Sequence, residues 1–304
     1  MATIHMLLQG EVGRMVQDID PAVQRRRLRV RLRQARDAKG LTQKDAAQAL
    51  GWGPAKIIRI ETGQVGISDT DLKALLQLYG ITDPDQVATY VEMARQSRKQ
   101  HWNIYRDILN QDFLIYLGFE GSASLLRQSE SLILPGLLQT EEYARAVIHA
   151  FNPPDTSPQL MERQLEVRMK RQEILDRADP PTLFFILDEA VIRRAVGAAD
   201  GGSKVMQHQL AHLNDLGSRD NVHLRVVRFD RGAHTGLLGP FVILTFPDPG
   251  DDDLLFLENG PHSLATRDDA NVISYYAQQF LELEKIALSE ADSARLIDEV
   301  RAEM

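Results

Sequence analysis

The 304-residue sequence contains no cysteine. That absence excludes disulfide bonds, zinc fingers, thiolate metal sites and cysteine nucleophiles together. Long apolar runs are lacking as well, since stretches such as residues 183–187 fall far short of the roughly 20 residues that a membrane-spanning helix needs. Residues 1–10 have no basic region of the kind that begins a secretory signal. We therefore expect a cytoplasmic protein that does not span a membrane.

Nucleotide-binding loops are also absent, because neither G-x-x-x-x-G-K nor a Rossmann glycine fingerprint occurs in the sequence. The whole sequence is 43% hydrophobic and 26% charged. This composition is typical of a globular chain, and its length is sufficient for two domains. The net charge of −8 excludes a chain covered evenly with basic residues for binding polyanions. We expect no cofactor and no metal.

The positive charge is concentrated near the amino end. Residues 24–62 contain eleven Lys or Arg and three Asp or Glu, a net charge of +8, which leaves −16 on the remainder of the chain. Asymmetry of this size is typical of a nucleic-acid-binding module joined to an acidic domain of another kind. A solvated basic helix face would give the same count.

Residues 21–100 carry five short helical segments, separated by glycines or by capping residues. The segments begin near Val23, Thr42, Pro54, Ser68 and Pro84, and they end near Gly40, Gly51, Gly63, Gly80 and Lys99. Serine and threonine favour the N-cap, proline favours the first helical position, and glycine favours the position after a helix. The pattern predicts an all-α module over residues 21–100, preceded by an amino-terminal arm over residues 1–20.

Residues 101–304 mix helical and strand-like segments. Strands are predicted at residues 182–187, 222–229, 241–246 and 254–258, where β-branched, leucyl and phenyl side chains lie between Gly, Pro or Asp. Helices are predicted at residues 141–149, 161–177, 189–196, 275–286 and 290–303. The prolines and aspartates of residues 246–253 indicate the tip of a hairpin. We therefore predict a larger α+β domain over residues 101–304.

Residues 42–62, TQKDAAQALGWGPAKIIRIET, have the arrangement of a helix-turn-helix. In that motif the first helix crosses the DNA backbone and the second enters the major groove. Gly51 separates the two segments, and the small side chains of Ala46 and Ala47 allow the helices to cross closely. With Gln43 and the run Arg59–Ile60–Glu61, residues 23–99 resemble the Xre family of Cro-like and phage-repressor-like proteins. The predicted fold is thus an N-terminal all-α five-helix helix-turn-helix module followed by the α+β domain.

The resemblance implies a set of DNA-contacting residues on and beside the second helix of the motif. The groove-facing residues are Gly53, Pro54, Ala55, Lys56 and Arg59. Arginine suits guanine because it binds the base in a bidentate way, although a surface ion pair would explain Arg59 equally well. Phosphate contacts are expected from Gln43, Lys44 and some of Arg25, Arg26, Arg29 and Arg33. Arg36 and Glu61 are expected to form an internal ion pair, and Trp52 to pack in the interior.

Several later segments resemble the long C-terminal domain of WhiJ-like actinobacterial regulators. They are LPGLLQTEEYARA at 134–146, RMKRQEIL at 168–175, LDEAVIRRAVG at 187–197, GAHTGLLGPF at 232–241 and ALSEADSARL at 287–296. The resemblance implies a transcriptional regulator that is controlled by an effector or by a small acidic companion protein of the BldB-like kind.

Three further groups of residues are weaker candidates for chemistry. Asp188 and Glu189 follow a strand-like run, where catalytic carboxylates occur, but the acidic first turn of a helix explains them better. His208 and His212 have a spacing that suits one metal ion, but the sequence offers no third ligand and a solvated pair is favoured. His234, between two glycines in a predicted loop, is a candidate ligand or partner site.

The leading hypothesis is a sequence-specific DNA-binding regulator, without enzymatic activity, that binds a pseudo-palindromic duplex as a homodimer. Its C-terminal domain would dimerise, or bind an effector or companion protein. Two alternatives stay open. One is an antitoxin-like interaction protein that represses its own operon, and the other is an enzyme domain targeted by a DNA-binding module.

Overall fold

The computed structural model describes residues 21–61, 65–97, 101–197, 203–247, 253–258, 264–267 and 270–304. The chain divides into two compact units, residues 1–100 and 101–304. The predicted amino-terminal arm, residues 1–20, and most of the predicted hairpin tip, residues 248–252, lie outside the described residues. Among the helices that are described, none combines the length and the apolar character needed to cross a membrane.

The first unit is all-α, as predicted. Its helices are α1 Pro21–Ala38, α2 Gln43–Ala49, α3 Pro54–Glu61, α4 Asp69–Leu78 and α5 Pro84–Gln96. Side-chain caps fix where helices begin, since Ser68 Oγ accepts a hydrogen bond from Asp71 N and Asp83 Oδ1 accepts one from Gln86 N. Leu32, Ile57 and Leu72 form the centre of the core with hardly any exposed surface. This apolar centre holds the short helices together, because helices of this length are marginal alone.

The second unit is α+β, which confirms the predicted fold class. After a 3₁₀ turn at His101–Tyr105, its helices are α6 Gln111–Glu120, α7 Glu141–Phe151, α8 Pro158–Arg171, α9 Glu189–Arg193, α10 Lys204–Gly217, α11 Ala270–Ile286 and α12 Glu290–Glu303. Its strands are β1 Leu125–Glu130, β2 Thr182–Asp188, β3 Val222–Val227, β4 Phe241–Thr245, β5 Leu254–Glu258 and β6 Leu264–Arg267. The sequence pattern predicts four of these strands and misses β1 and β6.

The strands form one sheet in the order β3-β2-β1-β4-β5-β6. The pairs β1–β2 and β2–β3 are parallel, whereas β1–β4, β4–β5 and β5–β6 are antiparallel. The β3 edge is covered by the start of α12, because Leu288 N donates to Val226 O at 2.9 Å and Val226 N donates to Ser293 Oγ at 2.9 Å. Covering an edge strand in this way prevents it from pairing with another chain.

The two faces of the sheet have different neighbours. Helix α11 packs on one face, where Phe280 joins Ile186, Ile243 and Leu255 in a hydrophobic cluster. Alternate residues of a strand point to the opposite face, so Val242 lies on the side away from that cluster. The second face is therefore available to the other helices of this unit.

Candidate nucleic-acid interface

The turn between α2 and α3 is built from local signals. Thr42 and Asp45 form a reciprocal capping box at the start of α2, in which Asp45 N donates to Thr42 Oγ1 at 3.1 Å and Thr42 N to Asp45 Oδ2 at 3.0 Å. Gly51 ends the helix with φ of 66°, a conformation that strains residues with a Cβ. Trp52 N then donates to Ala47 O at 2.8 Å, which closes the turn before Pro54 opens α3. The entry into α3 is thus fixed by hydrogen bonds and by glycine.

Helix α3 has one buried face and one exposed face. Ile57 and Ile60 are buried in the core of the first unit. Gly53, Pro54, Ala55, Ile58 and Arg59 are exposed. The outward face is therefore mostly small or apolar and carries the guanidinium of Arg59. Arg59 is held along the helix, since its Nε donates to Ala55 O at 3.2 Å.

Ile58 also belongs to this exposed face, although it is not among the DNA-contacting residues that the family resemblance implies. Its residue surface is 42% exposed, beside the exposed guanidinium of Arg59. The spacing of these residues could have identified Ile58, because Ala55, Ile58 and Arg59 lie at i, i+3 and i+4 and so share one side of the helix.

Lys56 lies at the border of the two faces and is held within the unit. Its Nζ is 3.0 Å from Asp71 Oδ1 and 3.8 Å from the centre of the Trp52 ring, and about a third of the side chain is exposed. The hydrogen bond from Lys56 lowers the pKa of Asp71 below its ordinary value. Trp52 is half-buried and packs against the core. The lysine predicted to read bases therefore has a protein partner that DNA has to replace.

A buried ion pair joins α1 to α3. Arg36 Nε donates to Glu61 Oε1 at 2.7 Å and Arg36 Nη2 donates to Glu61 Oε2 at 3.0 Å, with both side chains almost fully buried. Arg36 Nη1 also donates to Leu41 O at 2.7 Å. The hydrogen bond to Glu61 raises the pKa of Arg36. The structure thus brings the two residues of the predicted internal pair together, and the pair fixes how α3 sits on α1.

The predicted phosphate contacts are placed in different settings. Lys44 is exposed, whereas the side-chain amide of Gln43 donates to Glu61 Oε2 at 2.8 Å and so belongs to the buried network. On α1, Arg25 donates to Ser97 O at 2.9 Å and Arg33 is largely exposed beside Asp37. Arg29 is half-buried, and the side chain of Arg26 lies outside the described part of the structure. Lys44 and Arg33 are the predicted phosphate contacts with the most exposed positions.

His234 lies in the interior of the second unit and not in an open loop. Its Nε2 is 3.1 Å from Asp188 Oδ2, and both side chains are nearly buried. Gly236 explains the burial, because a Cβ there would lie 3.1 Å from His234 Nδ1. The absence of a side chain at Gly236 lets the loop fold closely over the imidazole.

The other candidate residues are also bonded within the second unit. Asp188 Oδ1 caps α9 by accepting from Ala190 N at 2.8 Å. Glu189 accepts from Arg193 Nε and from Phe229 N. His208 is exposed beside Glu142 at 3.1 Å. In the described part of the chain, no group of three or more potential metal-binding side chains is gathered.

Comparison with known families places two domains on these two units. A family model described as a helix-turn-helix domain matches residues 27–89. A second family model, described as a domain of unknown function (DUF5753), matches residues 114–299. No curated protein and no solved structure matches the chain significantly. The helix-turn-helix domain supports DNA binding and a role in transcription regulation.

Proposed function

We propose that this chain, which belongs to the family of the domain of unknown function DUF5753, is a sequence-specific transcriptional regulator whose helix α3 reads the DNA major groove. The observation that carries the proposal is the exposed face of α3. Its side chains are small, apolar or able to donate hydrogen bonds, and these are side-chain types that contact base edges in the major groove. Here Ile58 and Arg59 stand together on the outside of a helix that the Arg36–Glu61 pair holds rigidly.

The chemistry of that face indicates which bases it suits. Arg59 carries a planar fork of donors that matches O6 and N7 of guanine, a contact worth roughly 1–3 kcal/mol of discrimination. Pro54, Ala55 and Ile58 offer apolar surface for the methyl group of thymine. We expect a half-site that contains guanine beside thymine, with Xre-type docking of α3.

Lys56 joins the interface by exchanging partners. Its contact with Asp71 is partly exposed, and such ion pairs contribute little stability, so a phosphate or a base acceptor can replace the carboxylate at small cost. Lys44 and Arg33 supply phosphate contacts that carry no sequence information. The +8 segment and the −16 remainder orient the chain as it approaches the duplex, since the acidic part is repelled.

The regulator acts in the cytoplasm as a homodimer. A single module of this size makes a small interface with one half-site, and two copies on a pseudo-palindrome double the contacts. The half-sites then lie about one helical turn, 10 to 10.5 base pairs, apart.

The second unit receives the regulatory signal and has no catalytic role of its own. The carboxylates of Asp188 and Glu189 are occupied by a helix cap, by His234, by Arg193 and by a backbone amide, which supports a structural role for both. The signal is an effector, or the small acidic BldB-like companion protein that the resemblance implies.

Selection of bound fragments from random duplex DNA tests the proposal. The full chain is expected to enrich a motif of two related half-sites at low salt and to keep the same motif at about 200 mM salt with lower affinity, because phosphate contacts release counterions. Glu290→Gln removes an exposed charge from the second unit and serves as the control. This variant should enrich the same motif as the natural chain. Failure to enrich any motif at either salt concentration contradicts the proposal.

A further inference from the structure

The second unit contains a cavity of about 550 Å³ on the face of the sheet opposite α11. Its floor is a row of three side chains in register, Gln128 on β1, Val242 on β4 and Phe256 on β5. Protein interiors hold few voids larger than one water molecule, whereas this volume equals roughly 18 waters at about 30 Å³ each. Cavities that bind small molecules occupy roughly 300–1,000 Å³. The space is thus too large for a packing defect and has the size of a ligand site.

One wall of the cavity is flat and aromatic. The Tyr116 ring stacks on Phe256 with centroids 4.0 Å apart, and Phe113 stacks on Tyr116 at 5.9 Å with an angle of 18° between the rings. The guanidinium of Arg171 lies over the same rings, 5.2 Å from the centre of Phe113 and 5.7 Å from the centre of Tyr116. Aromatic rings favour stacked or edge-to-face neighbours, so a planar occupant suits this wall best.

The charged group at this wall belongs to an internal ion pair. Arg171 donates to Glu120 through Nε at 2.9 Å and through Nη2 at 2.7 Å, and the hydroxyl of Tyr116 donates to Glu120 Oε1 at 2.7 Å. The side chains of Arg171 and Glu120 are only 10% and 4% exposed. The positive charge beside the aromatic wall is therefore balanced within the protein.

The other polar side chains of the lining are bonded within the protein as well. Arg168 Nη1 donates to Gln139 Oε1 at 2.8 Å, and Gln139 Nε2 donates to Leu134 O at 2.7 Å. On β1, Gln128 Nε2 donates to Oε1 of the buried Glu130 at 3.0 Å. In the described part of the chain, the buried side-chain N and O atoms that lack a partner belong to none of the residues that line the cavity.

These contacts determine the charge of a suitable occupant. The two arginines and two glutamates of this region cancel in formal charge, so the cavity offers no net charge to an ion. An ionised molecule would lose its hydration here and would have to displace an internal hydrogen bond to replace it, whereas a neutral molecule has no such cost. At the rim, Leu132 is 56% exposed and Phe151 is 70% exposed, and an apolar occupant removes this surface from water.

We propose that the cavity binds a planar, uncharged aromatic molecule. The volume admits a small molecule, the stacked rings favour a flat one, and the internally bonded polar groups favour a neutral one. This inference deepens the proposed function, and only the regulatory meaning of the ligand rests on that function.

Titration of the full chain with naphthol, followed by calorimetry, tests the inference. Naphthol is planar and uncharged at neutral pH, because a phenolic hydroxyl ionises only near about pH 10. Naphthoate adds a negative charge, and decahydronaphthol keeps the hydroxyl and the fused carbon skeleton but is not planar. We expect saturable binding of naphthol with a negative heat-capacity change, because apolar surface is buried.

The two analogues test the two chemical requirements separately. Naphthoate should bind roughly tenfold more weakly than naphthol, because its charge finds no partner without breaking an internal bond. Decahydronaphthol should bind roughly threefold to tenfold more weakly, because it cannot stack on the aromatic wall. The inference is overturned if naphthol does not saturate the chain at millimolar concentration, or if either analogue binds as tightly as naphthol.

Two substitutions at exposed phenylalanines locate the binding. Phe151→Ala removes a ring from the rim of the cavity, and Phe229→Ala removes a ring that is 55% exposed and lies outside the lining. Both variants should keep the fold, because neither ring is buried. Phe151→Ala should weaken naphthol by roughly threefold to tenfold, and Phe229→Ala should leave its affinity unchanged. If the two variants bind naphthol alike, the assignment of the site to this cavity is wrong.

Val242→Phe tests the same assignment from the floor of the cavity. The larger side chain occupies space that naphthol needs, so the affinity should fall by roughly tenfold or more. Unchanged affinity in a folded variant contradicts the inference, and the comparison of Phe151→Ala with Phe229→Ala decides the assignment if Val242→Phe does not fold.

Measuring DNA binding on the same samples separates the two proposals. Binding of naphthol by a chain that enriches no DNA motif contradicts the proposed function and supports the ligand site. Enrichment of a DNA motif by a chain that does not bind naphthol contradicts the ligand site and supports the proposed function.

Discussion

Breaking the ion pair between Arg36 and Glu61 should destabilise the first unit strongly, although neither residue is expected to touch DNA. Glu61→Leu leaves the guanidinium of Arg36 buried with the backbone oxygen of Leu41 and the partly exposed carboxylate of Asp37. Loss of one partner from a buried pair costs roughly 3–5 kcal/mol. Since Arg36 keeps two acceptors, we expect the lower end, about 3 kcal/mol.

A double-mutant cycle separates the free energy that the ion pair contributes to folding from the cost of leaving one buried charge unpaired. Arg36→Met should cost about as much as Glu61→Leu, because the carboxylate of Glu61 would retain the amide of Gln43 as its neutral donor. The double variant buries no charge and should lie within about 1–2 kcal/mol of the natural sequence. The expected coupling energy is therefore several kcal/mol, far above that of an exposed pair.

The assay is urea unfolding followed by tryptophan fluorescence. The chain has two tryptophans, so a Trp102→Phe background leaves Trp52 as the reporter of the first unit alone. The exposed pair Arg95–Asp69, at 3.3 Å, is the control cycle and should give a coupling energy below about 1 kcal/mol. The reasoning is refuted if Glu61→Leu costs less than about 1 kcal/mol, or if the double variant loses as much as the two single variants together.

Two further predictions concern charge. Asp71→Asn removes the partner of Lys56 and should raise the affinity for a random duplex at low salt by roughly two- to fivefold, as measured by fluorescence anisotropy, whereas Asp85→Asn on α5 should change it less. An equal gain in both variants would contradict the exchange of partners. Burial lowers the pKa of His212, so the unfolded chain takes up the proton first as the pH falls below about 6.5, and the stability of the second unit decreases over that range. His212→Gln should make the fall in Tm between about pH 7.5 and 5.5 shallower, and the exposed His149→Gln should not; identical slopes for the natural chain and His212→Gln would refute this.

The helices of the first unit were predictable because their ends are determined by neighbouring residues. Thr42 and Asp45 satisfy backbone groups three positions apart, and Gly51 supplies a conformation that few other residues adopt. Signals of this kind depend only on a few consecutive residues, so they can be recognised without knowledge of the tertiary structure.

The second unit was harder to predict because its pairing is long-range. Strand β1 reads LLRQSE, and its four successive polar residues hide a strand that is central in the sheet. The polar Gln128 and Glu130 line a cavity of the second unit, and a local sequence pattern does not record that setting.

The candidate interface was predictable in part. The family resemblance indicated the helix that faces outward, but the run of isoleucines at positions 57, 58 and 60 does not by itself distinguish the exposed one from the buried two. Ile58 is exposed because a helix of eight residues presents only one side to the core. The contact between Lys56 and Asp71 joins two helices and has no signature in the sequence.

The central claim is that α3 reads base sequence through Arg59, and the most direct test is a comparison of two affinities. The ratio of affinity for a selected site to affinity for a scrambled duplex is measured for the natural chain, for Arg59→Ala and for Arg33→Ala. We expect Arg59→Ala to lower the ratio by roughly tenfold, because a bidentate guanine contact is lost, and Arg33→Ala to weaken both duplexes equally. A ratio that Arg59→Ala leaves unchanged would contradict the account.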